Sequence, residues 1–376
     1  MNVGDELELR VEKLSYNGGR GVSKHRGFVV FVEGAAPEET VKARITTVKK
    51  TFAEAKVVEV ISSSMHRRTP PCPVAHQCGG CPLQHVEYSE QLFQKQQIIN
   101  DFVSRNLPDQ TLTVLPILPS PNEFRYRNRI QLHSVNGLVG YYARGTNSFI
   151  PIEDCLISEE SLIEALPEVR SQTQNQDKMT RFEVARGLDN KIHIRKTQKD
   201  PGTLLFAQVN AAQNEKLIET VVMWAQESSD QFSQIFDLYA GAGNITWPLA
   251  KAFPNISVTG VELSDTSCSM GRKWMDPSLG ARATLECADV ADFLGSLDPR
   301  PALMVLDPPR QGCENQVMDE LLRLQPPIII YVSCNPSTLM RDLGKLKSLY
   351  NVVRLQPIDM FPQSDHIESI VLLKHI

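Results

Sequence analysis

The chain has 376 residues, 41% of them hydrophobic and 22% charged, with a formal net charge of −5. That length exceeds what one ordinary core organises, so two or three domains are expected, with enough apolar content to fold without external staples. No signal peptide heads the polar amino terminus and no uncharged apolar run approaches the ~20 residues that span a bilayer, so no membrane is expected and the cytoplasm is the expected compartment.

Eight cysteines in that compartment point to metal, cluster, core or catalytic thiols rather than to disulfides. The net charge also hides local basic stretches: residues 1 to 70 carry 12 Lys/Arg against 9 Asp/Glu, and residues 122 to 150 carry four Arg against one Glu. Nucleic-acid binding uses such local distributions.

Two-residue alternation over Glu6 to Lys13, Gly27 to Glu33, Glu39 to Val48 and Ala53 to Ile61 predicts a small β-barrel at residues 1–62, with a glycine turn at 18, 19 and 21. Basic residues between its strands suit an oligonucleotide-binding barrel, and a plain barrel with a solvated surface fits equally well. After the linker Ser62-Ser63-Ser64 and Pro70-Pro71, a central α+β region at 63–205 is expected to hold a helix at Tyr88 to Asn106. Its expected strands are Phe124 to His133, Leu138 to Ala143, Arg181 to Ala185 and Lys191 to Thr197. Arg125, Arg127 and Arg129 alternate along the first of these, which would give a phosphate track or merely a solvated face. From 206 to 376, helical periods alternate with apolar strands at Ile235 to Leu238, Ser257 to Val261, Leu303 to Leu306 and Ile328 to Val332. That is the pattern of a Rossmann-like parallel sheet covered by helices.

Cys72, Cys78 and Cys81 stand in C-x5-C-x2-C beside Gly79 and Gly80, and Cys155 lies far downstream. Three close thiolates and one remote thiolate suit an iron-sulfur cube, here 4Fe-4S. Structural zinc is the alternative, although zinc sites more often use two close C-x2-C pairs.

Asp237-Leu238-Tyr239-Ala240-Gly241-Ala242-Gly243-Asn244 follows a predicted strand, and Glu262 comes 19 residues after Gly243, near the spacing of a carboxylate that grips ribose hydroxyls. The third glycine of a dinucleotide fingerprint is missing. S-adenosylmethionine has no pyrophosphate to cradle and suits this loop better than NAD. Asp289 follows the third strand, within reach of an adenine. Asp307-Pro308-Pro309-Arg310 follows the fourth, where Arg310 in place of an aromatic argues against an amino-group target.

Tyr331-Val332-Ser333-Cys334-Asn335-Pro336 places a thiol at the end of a buried strand. Carbon 5 of uracil is a poor nucleophile until a thiolate adds to carbon 6, and a base must later remove the carbon 5 proton. Cys334 is the candidate thiolate and Glu368, in Asp365-His366-Ile367-Glu368, the candidate base. Taken singly, Cys334 reads as a core thiol and Glu368 as a surface acid. Their setting reverses both readings. Cys268, Cys287 and Cys313 lack such surroundings and read as structural, and Gln208 precedes the catalytic region with an amide able to bond cofactor or base.

With these motifs assembled, the chain resembles over nearly its full length the RNA uracil-5 methyltransferases, in particular their iron-sulfur 23S ribosomal RNA branch with an amino-terminal TRAM domain. The likeness rests on C-x5-C-x2-C with a later cysteine, F-x-Q-x-N, D-x-x-x-G-x-G-N, D-P-P-R, S-C-N-P and H-x-E. The resemblance implies a multidomain α/β protein: an OB-like TRAM barrel, a central domain with a 4Fe-4S cluster, and a class I methyltransferase domain. Cluster ligation by Cys72, Cys78, Cys81 and Cys155 is implied, as are nucleophile Cys334 and base Glu368. S-adenosylmethionine contacts from Gln208, Tyr239, Asn244, Glu262 and Asp289 are implied too, with Asp307 between cofactor and target base. Ala207 departs from the family, whose members commonly have a second aromatic there. The implied product is 5-methyluridine in 23S ribosomal RNA, made by a monomer that acts on RNA and not DNA. The same chemistry on a transfer RNA T-loop, or a noncatalytic RNA-binding assembly factor, are the competing readings.

Overall fold

The computed structural model describes residues 1–187, 189–197 and 208–376. The described residues divide into two compact units. One comprises Met1–Ile98, Pro121–Gly202 and Phe361–His366, and the other Ile99–Ser120, Thr203–Met360 and Ile367–Ile376.

The first unit opens with β1 (Glu6–Leu14), β2 (Gly21–His25), β3 (Phe28–Glu33), β4 (Thr40–Val48) and β5 (Phe52–Ser62). They close into a barrel of order β1-β2-β3-β5-β4, with β4 antiparallel to β1 and β5 parallel to β3. Strand alternation sends Leu9, Val11, Val30, Val32, Val41, Ala43 and Ile45 inward. Each buried valine or leucine there is worth roughly 1.5–3 kcal/mol. The expected OB-like barrel is present, with one strand more than the sequence reading gave, because Gly21 starts β2 rather than ending a turn.

Beyond it come α1 (Ala75–Cys78) and α2 (Tyr88–Asn106), the latter with the predicted bounds, and then β6 (Thr113–Val114), which belongs to the second unit's sheet. The first unit continues with β7 (Arg129–Val135), β8 (Leu138–Tyr142), β9 (Phe149–Pro151), α3 (Glu160–Glu164), α4 (Leu166–Ser171), β10 (Thr180–Arg186) and β11 (Ile192–Thr197). These five strands form a sheet ordered β11-β10-β7-β8-β9. Leu162 of α3 and Leu166 and Val169 of α4 seal one face against Ile130, Leu132, Phe182 and Val184.

The arginine track expected at 125, 127 and 129 does not form. The strand begins only at Arg129, because Arg125 turns the chain with φ +54°. Arg125 pairs with Asp154 at 2.6 Å, Arg127 donates to the Arg129 carbonyl at 3.0 Å, and Arg129 lies 3.7 Å from the buried Glu183. Protein acceptors thus engage all three guanidiniums.

The second unit runs α5 (Ala211–Gln226), β12 (Gln234–Leu238), α6 (Thr246–Ala252), β13 (Ser257–Glu262), α7 (Asp265–Trp274), β14 (Ala283–Cys287), α8 (Val290–Gly295), β15 (Ala302–Leu306), α9 (Asn315–Leu324), β16 (Ile328–Ser333), α10 (Pro336–Leu346), β17 (Tyr350–Ile358) and β18 (Glu368–His375). Its sheet is ordered β14-β13-β12-β15-β16-β18-β17-β6. Strands β14 to β16 are mutually parallel, and β18 and β17 add an antiparallel margin. All six residues of β16 are buried, as a strand covered on both faces requires. Strand order reverses between β12 and β15, and open α/β sheets bind ligands in the crevice at such a reversal. No described helix is long and apolar enough to cross a membrane.

Candidate active site and cysteine cavity

Sheet register carries the expected active-site residues to one edge of the second unit. Leu238 pairs with both Val261 and Leu306, so Tyr239 and Asp307 follow the ends of neighbouring strands and Glu262 ends the one between them and β14. Glu262 itself pairs with Cys287, two residues before Asp289. Leu306 pairs with Tyr331, and Ser333 pairs with Ser369 in the antiparallel β16–β18 ladder. One step beyond that last pair stand Cys334 and Glu368. The row therefore reads Asp289, Glu262, Tyr239, Asp307, Cys334, Glu368 across the carboxyl ends of the parallel strands.

Local chemistry explains each placement. Tyr239 takes the left-handed conformation, φ +66°, uncommon for a residue with a side chain, and turns the chain from β12 into the glycine loop. Gly243 has φ +89°, and a β-carbon there would lie 2.2 Å from the Trp247 ring nitrogen, so the loop admits only glycine. Beneath it, Asp237 is 1% exposed and accepts from the Thr246 hydroxyl at 2.6 Å. Its other oxygen has no partner among the described residues. Burial pushes this carboxyl up to about 7, since water is absent to solvate its charge. Glu262 accepts the backbone N–H of Gly241 at 2.9 Å and of Ser264 at 2.8 Å, so its carboxylate faces the loop in a fixed pose. Asp289 caps α8, accepting from Ala291 N at 2.8 Å and Asp292 N at 3.2 Å. Asn244 and Asn214 of α5 exchange amide hydrogen bonds, 2.9 Å each way. Gln208 is described and makes contacts within the protein, whereas Phe206 and Ala207 of the F-x-Q-x-N stretch lie outside the described residues.

Asn335 caps α10 by accepting the Ser337 N–H at 3.1 Å, and Pro336 begins the helix, which confines Cys334 to a short turn between strand and helix. Cys334 is half-buried. Burial, with the nearby charges of Glu368 and Asp307, pushes its thiol up to about 12, while Arg310 pulls the other way. Glu368 is 2% exposed, and burial with the Asp307 charge raises its carboxyl well above the usual range. Asp307 is raised in turn by burial and by Asp237. Thiol and carboxyls thus form one electrostatically linked set that favours holding protons at rest.

In the first unit, Cys72, Cys78, Cys81 and Cys155 line one cavity together with Tyr141, Ile152 and Ile157. The turn Gly79 (φ +66°) lets the chain double back between Cys78 and Cys81. Burial raises the Cys72 and Cys78 thiols, and carries Cys81 to about 12. Among the described residues, no three Cys, His, Asp or Glu side chains converge tightly enough to hold a single metal ion.

Comparison with known proteins adds a family to this geometry. Residues 300–376 match the tRNA (Uracil-5-)-methyltransferase family and residues 1–58 the TRAM domain. A 23S rRNA (uracil(1939)-C(5))-methyltransferase of Dichelobacter nodosus is 33% identical, covering 97% of this chain and 98% of its own. The chain belongs to the RNA uracil-5 methyltransferase family. An RNA methyltransferase of Bdellovibrio bacteriovorus, itself uncharacterised, is 40% identical over 99% of this chain and 96% of its own. The fold also matches the Pyrococcus abyssi tRNA (uracil-54, C5)-methyltransferase, solved in complex with S-adenosyl-L-homocysteine, at TM-score 0.73 and 22% identity over 97% of this chain and 99% of that one.

Within this family member, sequence reasoning missed Thr246, Asn214 and the surroundings of Arg310. Thr246 opens a helix after a glycine turn, which is a weak signal. Asn214 reaches Asn244 only through the packing of α5 against α6, which nothing local announces.

Proposed function

We propose that this chain methylates carbon 5 of a uridine in 23S ribosomal RNA, with Cys334 as the nucleophile and Glu368 as the base. The observation that carries this reading is their placement one step beyond the Ser333–Ser369 pair, at the ends of two paired strands on the ligand-binding edge of the sheet. Cys334, only half-buried, gives its proton to solvent before adding to carbon 6; Arg310 favours the thiolate, and the carboxyls beside it oppose premature ionisation. Formation of the S–C6 bond moves the C5=C6 electron pair toward carbon 5 and the carbonyl oxygen. Bound S-adenosylmethionine supplies the methyl group on a sulfonium that accepts the bonding pair as it leaves. Glu368, having first released its resting proton to become the carboxylate, then takes the carbon 5 proton, C5=C6 re-forms and Cys334 departs as thiolate. The high proton affinity that burial gives Glu368 suits it to abstract a carbon-bound proton.

The residues at the sheet edge fit the donor. Glu262 offers a pre-oriented carboxylate to ribose hydroxyls, Asp289 would accept from an adenine amine, and Tyr239, Asn244 and Gln208 would complete the loop side. Asp307 would stand between donor and base. RNA must present its uridine unstacked to be reached from both sides, as a flexible loop allows. The four-cysteine cavity suits a 4Fe-4S cluster, a multi-atom group whose ligands need not converge on one point. It would tie the loop at Cys72–Cys81 to Cys155.

Ribosomal rather than transfer RNA is favoured by the full-length likeness to the Dichelobacter enzyme. Mapping 5-methyluridine in total RNA from a strain lacking this chain tests it: a single 23S position losing its methyl group supports the reading, and a loss confined to transfer RNA contradicts it.

A further inference from the structure

The helix that begins just after Cys334 grips the loop that follows the D-P-P-R motif, residue by residue. Asn335 Nδ2 and Thr338 Oγ1 donate to the Arg310 carbonyl at 3.0 and 3.2 Å. One turn on, Arg341 donates to the carbonyls of Gln311 at 2.9 Å and Cys313 at 3.1 Å. Lys345 reaches the Asn315 side chain at 2.7 Å. Residues at helical spacing on α10 therefore meet successive residues of the loop.

At the centre of this contact lies Asp342, 0% exposed. Its Oδ2 accepts the Cys313 backbone N–H at 3.0 Å and the Tyr331 hydroxyl at 2.8 Å, and its Oδ1 accepts from Arg341 at 2.8 Å. The Cys313 thiol lies 3.5 Å from the Tyr331 hydroxyl and also contacts that of Tyr239 on the glycine-loop side. Gly312 has φ +76°, and a β-carbon there would stand 2.5 Å from Asp342 Oδ2. A buried carboxylate is costly unless fully paired, and an apolar residue on this helix face would pack at no such cost. Here the Asp342 side chain holds one backbone segment, the one leading away from Arg310.

We propose that Asp342 is a positioning residue for the nucleophile: by locking residues 310–315 to α10 it fixes the Arg310 guanidinium beside Cys334. This rests on the reading of Cys334 as nucleophile. The backbone at Arg310 and the helix that follows the thiol are thereby tied together. Tyr331, Arg341 and Gly312 act with Asp342, and none of them needs to touch substrate.

The test uses the full-length enzyme and two readouts, single-turnover methyl transfer and iodoacetamide labelling of the Cys334 peptide followed by mass spectrometry without RNA. Asp342→Asn is expected to slow both by about 10-fold, while KM for S-adenosylmethionine changes less than about two-fold. In an Arg310→Gln background, Asp342→Asn should add less than about two-fold to either defect, since the residue through which it acts is gone. Defects that multiply in the double variant, or unchanged labelling in Asp342→Asn, overturn the proposal. If Asp342→Asn fails to fold, Thr338→Val removes a single donor to the Arg310 carbonyl and should slow labelling by about three-fold; no change there overturns it equally. The labelling readout needs no turnover, so a wrong nucleophile assignment would show separately, as full activity in Cys334→Ala.

Discussion

Glu262 receives the backbone N–H of Gly241 at 2.9 Å, so the acid at the end of β13 and the glycine loop after β12 are tied together. Pre-orientation of this kind lowers the ordering cost of binding. Glu262→Ala removes both the expected ribose acceptor and the loop's anchor. Calorimetric titration with S-adenosylmethionine should weaken by roughly 1.5–3 kcal/mol, the range for hydrogen bonds to a charged group. Unchanged affinity would remove Glu262 from the donor site.

Asp237 gives the fold a pH dependence with a definite sign. Its carboxyl moves from an ordinary 3.8 to about 7 on folding, so between those values the folded state binds more protons than the unfolded one. Stability is then greatest at the acid end of that window and is lost as pH rises through about 7. Asp237→Asn should flatten this slope. The difference in unfolding free energy between pH 5 and pH 8 should shrink by roughly 2–4 kcal/mol, measured by urea denaturation. An identical slope in the variant would assign the dependence elsewhere.

Cys155 is the remote wall of the four-cysteine cavity. Anaerobically purified protein should be brown, with broad absorbance near ~400 nm that Cys155→Ala weakens or abolishes. Stoichiometric zinc with no iron would replace the cluster by a structural zinc site.

Glu368→Gln leaves the nucleophile in place and removes the base. The carbon 5 proton then has no acceptor, so methylated RNA should remain bonded to the protein and migrate with it on a denaturing gel. Rapid release of methylated, unlinked RNA would show that another group takes the proton.

Much of the fold was legible because burial leaves a plain mark on sequence. The run Ile328-Ile329-Ile330 could only be a covered strand, and it is. Glu368 shows where that signal fails. An acid and a serine ahead of Ile370 read as a solvated approach to a strand, yet both belong to β18 and are buried, because their neighbours form the site. Strand β17 went unread since a bulge between Val352 and Arg354 breaks its alternation. Arg125 misled in the opposite sense: alternation suggested a strand face where the chain turns at positive φ and pairs with Asp154. The motif residues stood out singly in the sequence. The contacts that orient them, from Asn214 to Asn244 and from Asp342 to Cys313, join segments far apart in the chain and follow only from packing.

The covalent step is tested most directly by incubating the enzyme with S-adenosylmethionine and RNA carrying 5-fluorouridine, whose carbon 5 presents no removable proton after methylation. Peptide mass spectrometry should find the methylated fluoropyrimidine attached to Cys334, and no adduct in Cys334→Ala. An enzyme that methylates ordinary RNA fully but forms no adduct with the fluorinated one, or forms it on another residue, would contradict the account.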